Sequence, residues 1–130
     1  MNKNGDIVEL VIPFKAEYVS IARLTASGIA NRAGFNIDTV EDIKVAIAEV
    51  CNKMVKYKSK TAESYKIIFN QTLQNLTIAF DCEDKSLKCM FDNEEDKLAI
   101  SLINAFMDSV LFCPDDKVLF VMSKSIEGNN

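Results

Sequence analysis

Asp38-Thr39-Val40-Glu41-Asp42-Ile43-Lys44-Val45-Ala46-Ile47-Ala48-Glu49-Val50-Cys51, residues 38–51, is the stretch from which the rest of the chain can be placed. Ile43, Ala46, Ile47, Val50 and Cys51, continued by Met54 and Val55, recur every three to four positions, the period of a helix with one side laid on a core. Asp38 is placed to cap its start, with Glu41 three residues on as in a capping box. The polar run Lys56 to Ser64 ends it. Upstream, Val19, Ala22, Ala26, Ile29, Ala30 and Ala33 mark another helix, and Gly34 suits its C-cap. Before that, Asp6 to Phe14 alternates as a strand until Pro13 limits its ladder.

Downstream, the sequence predicts strands over Tyr65–Asn70 and Leu76–Asp81, joined by a polar hairpin connection, Gln71 to Asn75. The charged segment Cys82 to Asp96 contains a candidate strand, Leu87 to Phe91. A third helix is expected from the stripe Leu98, Ser101, Leu102, Ala105, Phe106 and Ser109. Val110–Cys113 and Val118–Met122 then form a hairpin around Pro114-Asp115-Asp116, and Glu127 to Asn130 is expected to be a disordered tail. This order predicts an α+β fold: a two-layer α/β sandwich whose mixed, mostly antiparallel sheet carries about three helices on one face. With no repeat and no linker, residues 1–130 read as one domain.

Composition narrows the chemistry. A chain that is 48% hydrophobic and 26% charged is that of a folded globular protein. The net charge of -4 and scattered lysines argue against direct nucleic-acid binding. The run Lys53, Lys56, Lys58 and Lys60 reads as a solvated helix end. No stretch suits a signal core or a bilayer span, so the expected location is the cytoplasm, with no membrane contact. There Cys51, Cys82, Cys89 and Cys113 are expected to remain free thiols. The absence of histidine removes a mixed Cys/His metal site and every Ser-His-Asp or Cys-His arrangement.

Glu17-Tyr18-Val19-Ser20-Ile21-Ala22-Arg23-Leu24-Thr25 and Glu41 to Cys51 resemble the opening helices of the anti-sigma-factor serine kinases, within the histidine-kinase-like ATPase superfamily. Leu102-Ile103-Asn104-Ala105-Phe106-Met107-Asp108-Ser109-Val110 is similar to the helix that follows the family's ATP lid. The resemblance implies that fold, with ATP and Mg²⁺ as cofactors. It also implies a sigma factor or a STAS-domain anti-anti-sigma protein as partner, and a homodimer paired through its sheet edge or first helices.

It further implies what each site residue would do, and several depart from the pattern. The family carries a Glu as base or water-positioner and, four residues later, an Asn that holds Mg²⁺. Here Glu49 is kept and Lys53 replaces the Asn. An ammonium has only donors and repels a cation, and Lys53 is expected to pair with Glu49 instead. Asp81 matches the Asp that binds adenine, while Glu83 and Lys85 replace the glycines after it. Lys97 and Ala99 replace the Gly-x-Gly that would bind phosphate at a helix start. The lid is reduced to Ser86–Asp96. Glu49 and Asp81 are thus expected to be vestigial, with no cofactor and no metal bound. Arg23 matches the family's partner-contacting Arg, although a surface ion pair with Glu17 or another carboxylate explains it equally well. The expectation is a non-catalytic, protein-binding regulator. An active kinase with a divergent ATP site that phosphorylates a STAS-domain protein is one alternative, and a small-ligand sensor or structural module on the same fold is the other.

Overall fold

The structure is a computed structural model that describes residues 5–91, 94–114 and 117–126. The expected tail, 127–130, and the turn residues Asp115 and Asp116 lie outside the described residues. The elements run in the order β1 (Asp6–Pro13), α1 (Val19–Ala33), α2 (Ile37–Tyr57), β2 (Ser64–Gln71), β3 (Asn75–Asp81), α3 (Lys97–Phe106), β4 (Ser109–Leu111) and β5 (Phe120–Ser125). Short 3₁₀ turns lie at Ala16–Tyr18, Lys85–Leu87 and Glu94–Asp96.

The five strands form one sheet in the order β1-β2-β3-β5-β4, and every neighbouring pair is antiparallel. The expected mixed sheet is therefore a wholly antiparallel one, because the strand after α3 returns as a hairpin and β5 slots between β3 and β4. The pairing sets Ile12 opposite Tyr65, Ile67 opposite Phe80, and Ile78 opposite both Phe69 and Met122. All of these are buried, so one face of the sheet is a continuous apolar floor.

Helices α1 and α2 lie on that floor. Helix α1 buries Val19, Ala22, Ala26 and Ala30, whose small side chains let it approach α2 closely. Helix α2 buries Val40, Ile43, Ala46, Ile47, Val50, Cys51 and Met54, the stripe that its spacing predicts. The rings of Phe91, Phe112 and Phe120 pack with centroids 5.4–5.6 Å apart, and Phe80 meets Phe120 edge-on at 5.8 Å.

Several local expectations are corrected. The cap of α2 is Asn36, whose side chain accepts the Thr39 amide at 2.9 Å. Asp38 already lies inside the first turn, and Glu41 pairs with Lys44 at 3.1 Å instead of closing a capping box. Gly34 does cap α1, at φ 100°, a left-handed conformation costly for any residue with a Cβ. The segment Leu87–Phe91 is no strand: a 3₁₀ turn ends at Leu87 and Cys89 turns the backbone at φ 59°. Leu87 and Met90 are buried without a ladder, and Phe91 joins the aromatic cluster. Helix α3 stops at Phe106, and the closing strands are Ser109–Leu111 and Phe120–Ser125.

The cysteines also depart from expectation. Cys89 and Cys113 form a disulfide with their Cα atoms 4.6 Å apart, while Cys51 and Cys82 are buried free thiols. The 24-residue separation hides this pairing in the sequence; the loops after β3 and β4 meet because β5 holds both strands. Among the described residues no helix is long and apolar enough to cross a membrane.

Candidate functional site

The residues singled out in the sequence fall in three places. Glu49 and Lys53 lie one turn apart on α2, and Lys97 and Ala99 open α3, which crosses α2. Asp81, Glu83 and Lys85 lie at the end of β3 and in the loop that follows it. Arg23 stands on the exposed side of α1.

Lys53 does not pair with Glu49. It is 5% exposed, and its Nζ donates a 2.8 Å hydrogen bond to Oδ1 of Asp96, which is equally buried. The reason is tertiary. Helix α3 packs over the last turns of α2 and shuts Lys53 from water, whereas Glu49 remains half-buried. A desolvated ammonium needs a partner held in place, and Asp96 supplies one. Asp96 is the N-cap residue of α3, yet its side chain makes no capping hydrogen bond and reaches Lys53 instead. The ammonium also lies 4.1 Å from the centre of the Tyr57 ring and 5.9 Å from that of Phe91. Burial acts to lower the Lys53 pKa, but the hydrogen bonds to Asp96 and Tyr57 and the Asp96 charge outweigh it, and the net shift is upward. Two exposed pairs border this contact: Lys56 with Glu95 at 3.0 Å and Lys97 with Glu94 at 3.2 Å. The lysine run at the end of α2 is thus solvated only in part, since its first member is a core residue.

At the end of β3, Lys85 donates to the Asp81 carboxylate and, at 2.7 Å, to the Lys117 carbonyl. The residue standing at an expected glycine therefore pairs with the expected adenine-binding Asp. Glu83 is exposed. These three side chains border an open groove of about 610 Å³, whose other walls include Glu63, Tyr65 and Lys66. Neither Glu49 nor Lys53 is among its lining residues.

Asp84 closes the loop: it accepts Ser59 Oγ at 2.6 Å, Ser86 Oγ at 2.6 Å and the Ser86 amide at 3.0 Å. Those hydrogen bonds, that from Ser59 foremost, hold its carboxyl below the usual carboxylate range. Between α2 and the sheet floor, burial pushes the Cys51 thiol up to about 12, against a partial opposing effect from Tyr65. Burial raises the Tyr65 phenol as well, and among the described residues its hydroxyl has no hydrogen-bond partner of ordinary geometry.

Lys97 points to solvent with Glu94, and Ala99 packs on the core's margin as a helical residue. Arg23 is exposed between Ile21, 41% exposed, and Leu24, 70% exposed. Among the described residues no ion pair joins it to Glu17. Sequence reasoning missed Asp96, Tyr57 and Phe91 around Lys53, and the Ser59–Asp84–Ser86 cluster. The acidic triplet Glu94-Glu95-Asp96 was a visible signal, but nothing in it distinguishes the member that α3 buries. Among the described residues no group of histidine, cysteine, aspartate or glutamate side chains could hold a metal ion.

Residues 12–121 match the profile of the histidine kinase-like ATPase domain. The chain is 33% identical to the serine-protein kinase RsbW of Halalkalibacterium halodurans, over 94% of this chain and 85% of that protein. It is 34% identical to RsbW proteins of Bacillus cereus and Bacillus thuringiensis, over 98% of this chain and 89% of each relative. The Bacillus alignments run over 146 positions against 130 residues here, so those relatives carry residues that this chain lacks. The helix motifs, the antiparallel sheet under them and these matches agree: the chain belongs to the histidine kinase-like ATPase domain family, beside the serine-protein kinases named RsbW.

Proposed function

We propose that this chain is an anti-sigma-factor-like regulator that acts by binding protein, and that ATP–Mg²⁺ chemistry has been given up. The observation that carries the reading is the buried Lys53–Asp96 pair. Where the resemblance expects an amide oxygen for Mg²⁺, the chain places an ammonium, which offers no lone pair and repels a divalent cation. Where phosphate would approach the start of α3, it places a carboxylate. Asp81 is engaged by Lys85, and side chains stand at the expected glycine positions. The residues present therefore do not fit ATP–Mg²⁺, and no phosphoryl transfer is derived through it.

The protein-binding half draws support from two exposed surfaces. Arg23 stands beside the unpaired apolar side chains of Ile21 and Leu24 on α1, a surface suited to a sigma factor or a STAS-domain protein. Strand β1 is an eight-residue sheet edge with Ile7, Val8 and Val11 exposed, consistent with pairing to a second copy. Calorimetric titration with ATP–Mg²⁺ tests the first half: no saturable heat is expected, and clear binding sinks the reading. Co-purification from the native host tests the second, and recovery of neither partner class counts against it.

One observation favours a second reading, an active serine kinase. Glu49 keeps a half-buried carboxylate with no ion-pair partner among the described residues, and the relatives are serine-protein kinases. Phosphoryl transfer to a STAS-domain protein, abolished by Glu49→Ala, would establish it.

A further inference from the structure

Lys53 and Asp96 meet where the last turns of α2 pass under the start of α3, each 5% exposed and joined at 2.8 Å. Asp96 caps no amide of α3, yet its negative charge lies at the positive end of that helix's dipole. The ammonium on the α2 side is walled by the rings of Tyr57 at 4.1 Å and Phe91 at 5.9 Å. The contact thus has a cation toward α2, an anion toward the N-terminus of α3, and aromatic rings beside the ammonium. A divalent cation and a polyphosphate bridging the same two helices would supply those charges in the same order.

We propose that the Lys53–Asp96 pair is a built-in substitute for a metal–phosphate contact, fastening α3 to α2 with no ligand bound. Helix α3 buries only Ile103 fully, so apolar packing alone holds it weakly and a directional contact at its start matters. The helix positions then do not respond to nucleotide, and partner affinity is the same with and without ATP–Mg²⁺. That last consequence rests on the regulator reading; the fastening does not.

Amide hydrogen exchange on the full chain tests it. The first amides of a helix have no intrahelical partner, so the informative ones are Ser101–Phe106. In the wild type their exchange should be unchanged by ATP–Mg²⁺. Asp96→Asn should speed it at least tenfold relative to the α1 amides Ala26–Ala33. If Asp96→Asn does not fold, Lys53→Met/Asp96→Leu removes both charges and should still speed α3 exchange by about tenfold. Unchanged α3 exchange in a folded variant overturns the proposal, as does slower α3 exchange in the wild type when ATP–Mg²⁺ is added. A chain that binds no sigma factor or STAS-domain protein refutes the regulator reading and leaves the exchange result standing.

Discussion

Replacing Lys53 by methionine keeps the length of its aliphatic stem and removes the charge, leaving the Asp96 carboxylate buried without the ammonium. Both partners of the wild-type pair are 5% exposed and the hydrogen bond is 2.8 Å long, so this is an interior pair. Breaking such a pair by removing one member costs about 3–5 kcal/mol. For a chain of 130 residues, with an unfolding entropy of roughly 2 cal/mol/K per residue, that lowers the melting temperature by about 10–20 °C. Urea unfolding followed by circular dichroism should show the midpoint falling with an unchanged slope. The double variant Lys53→Met/Asp96→Leu removes both charges and should recover to within about 1–2 kcal/mol of the wild type. The resulting coupling of at least about 2 kcal/mol is what a buried pair requires. The pH dependence follows from the raised Lys53 pKa. Its contribution is fully present below the unfolded value near 10.5 and is lost as pH rises through the folded value above it. The gap between wild type and Lys53→Met should thus be flat from neutral pH to about 10 and shrink beyond. A Lys53→Met cost under about 1 kcal/mol, the size expected of an exposed pair, would refute this reasoning.

Three further outcomes are expected. Unfolded without reductant, the protein should expose two free thiols, Cys51 and Cys82, and reduction of Cys89–Cys113, which are 24 residues apart, should cost about 3–4 kcal/mol by loop-closure entropy; a count of four thiols contradicts the disulfide. Asp84→Asn should destabilise the protein at neutral pH, where the carboxylate gains from Ser59 and Ser86. Because the folded Asp84 pKa lies below the ordinary 3.8, that advantage must fade as pH falls below this value, which acid titration of both proteins would show. Gly34→Ala should cost about 1 kcal/mol by chemical denaturation; since a Cβ there meets nothing within 4 Å, the whole cost is backbone strain at φ 100°, and a neutral result refutes that assignment.

Much of the fold was legible because it depends on local periodicity. The stripe of α2, the alanine face of α1 and the strands β2 and β3 each repeat at the period of their element, and their buried residues are those that the spacing selects. The errors gather after Asp81. There Leu87, Met90 and Phe91 are buried from a 3₁₀ turn and irregular backbone, and Phe91 joins an aromatic cluster assembled from distant segments, so no local period marks them. Asn36 and Asp38 are both good caps for α2, and only the helix's entry geometry chooses Asn36, two residues ahead of Asp38.

The candidate site divides along the same line. From the sequence by itself one could read that position 53 offers an ammonium and no oxygen ligand, and that positions 83, 85, 97 and 99 are not glycine. That follows from residue identity and needs no coordinates. The partner of Lys53 could not be read in this way. Helix geometry offers Glu49 at i,i−4, and in an isolated helix that pair would form. The packing of α3 across α2 decided otherwise: it buried the ammonium and brought Asp96, 43 residues away, within hydrogen-bonding distance, because a charge removed from water must take the carboxylate that is buried with it.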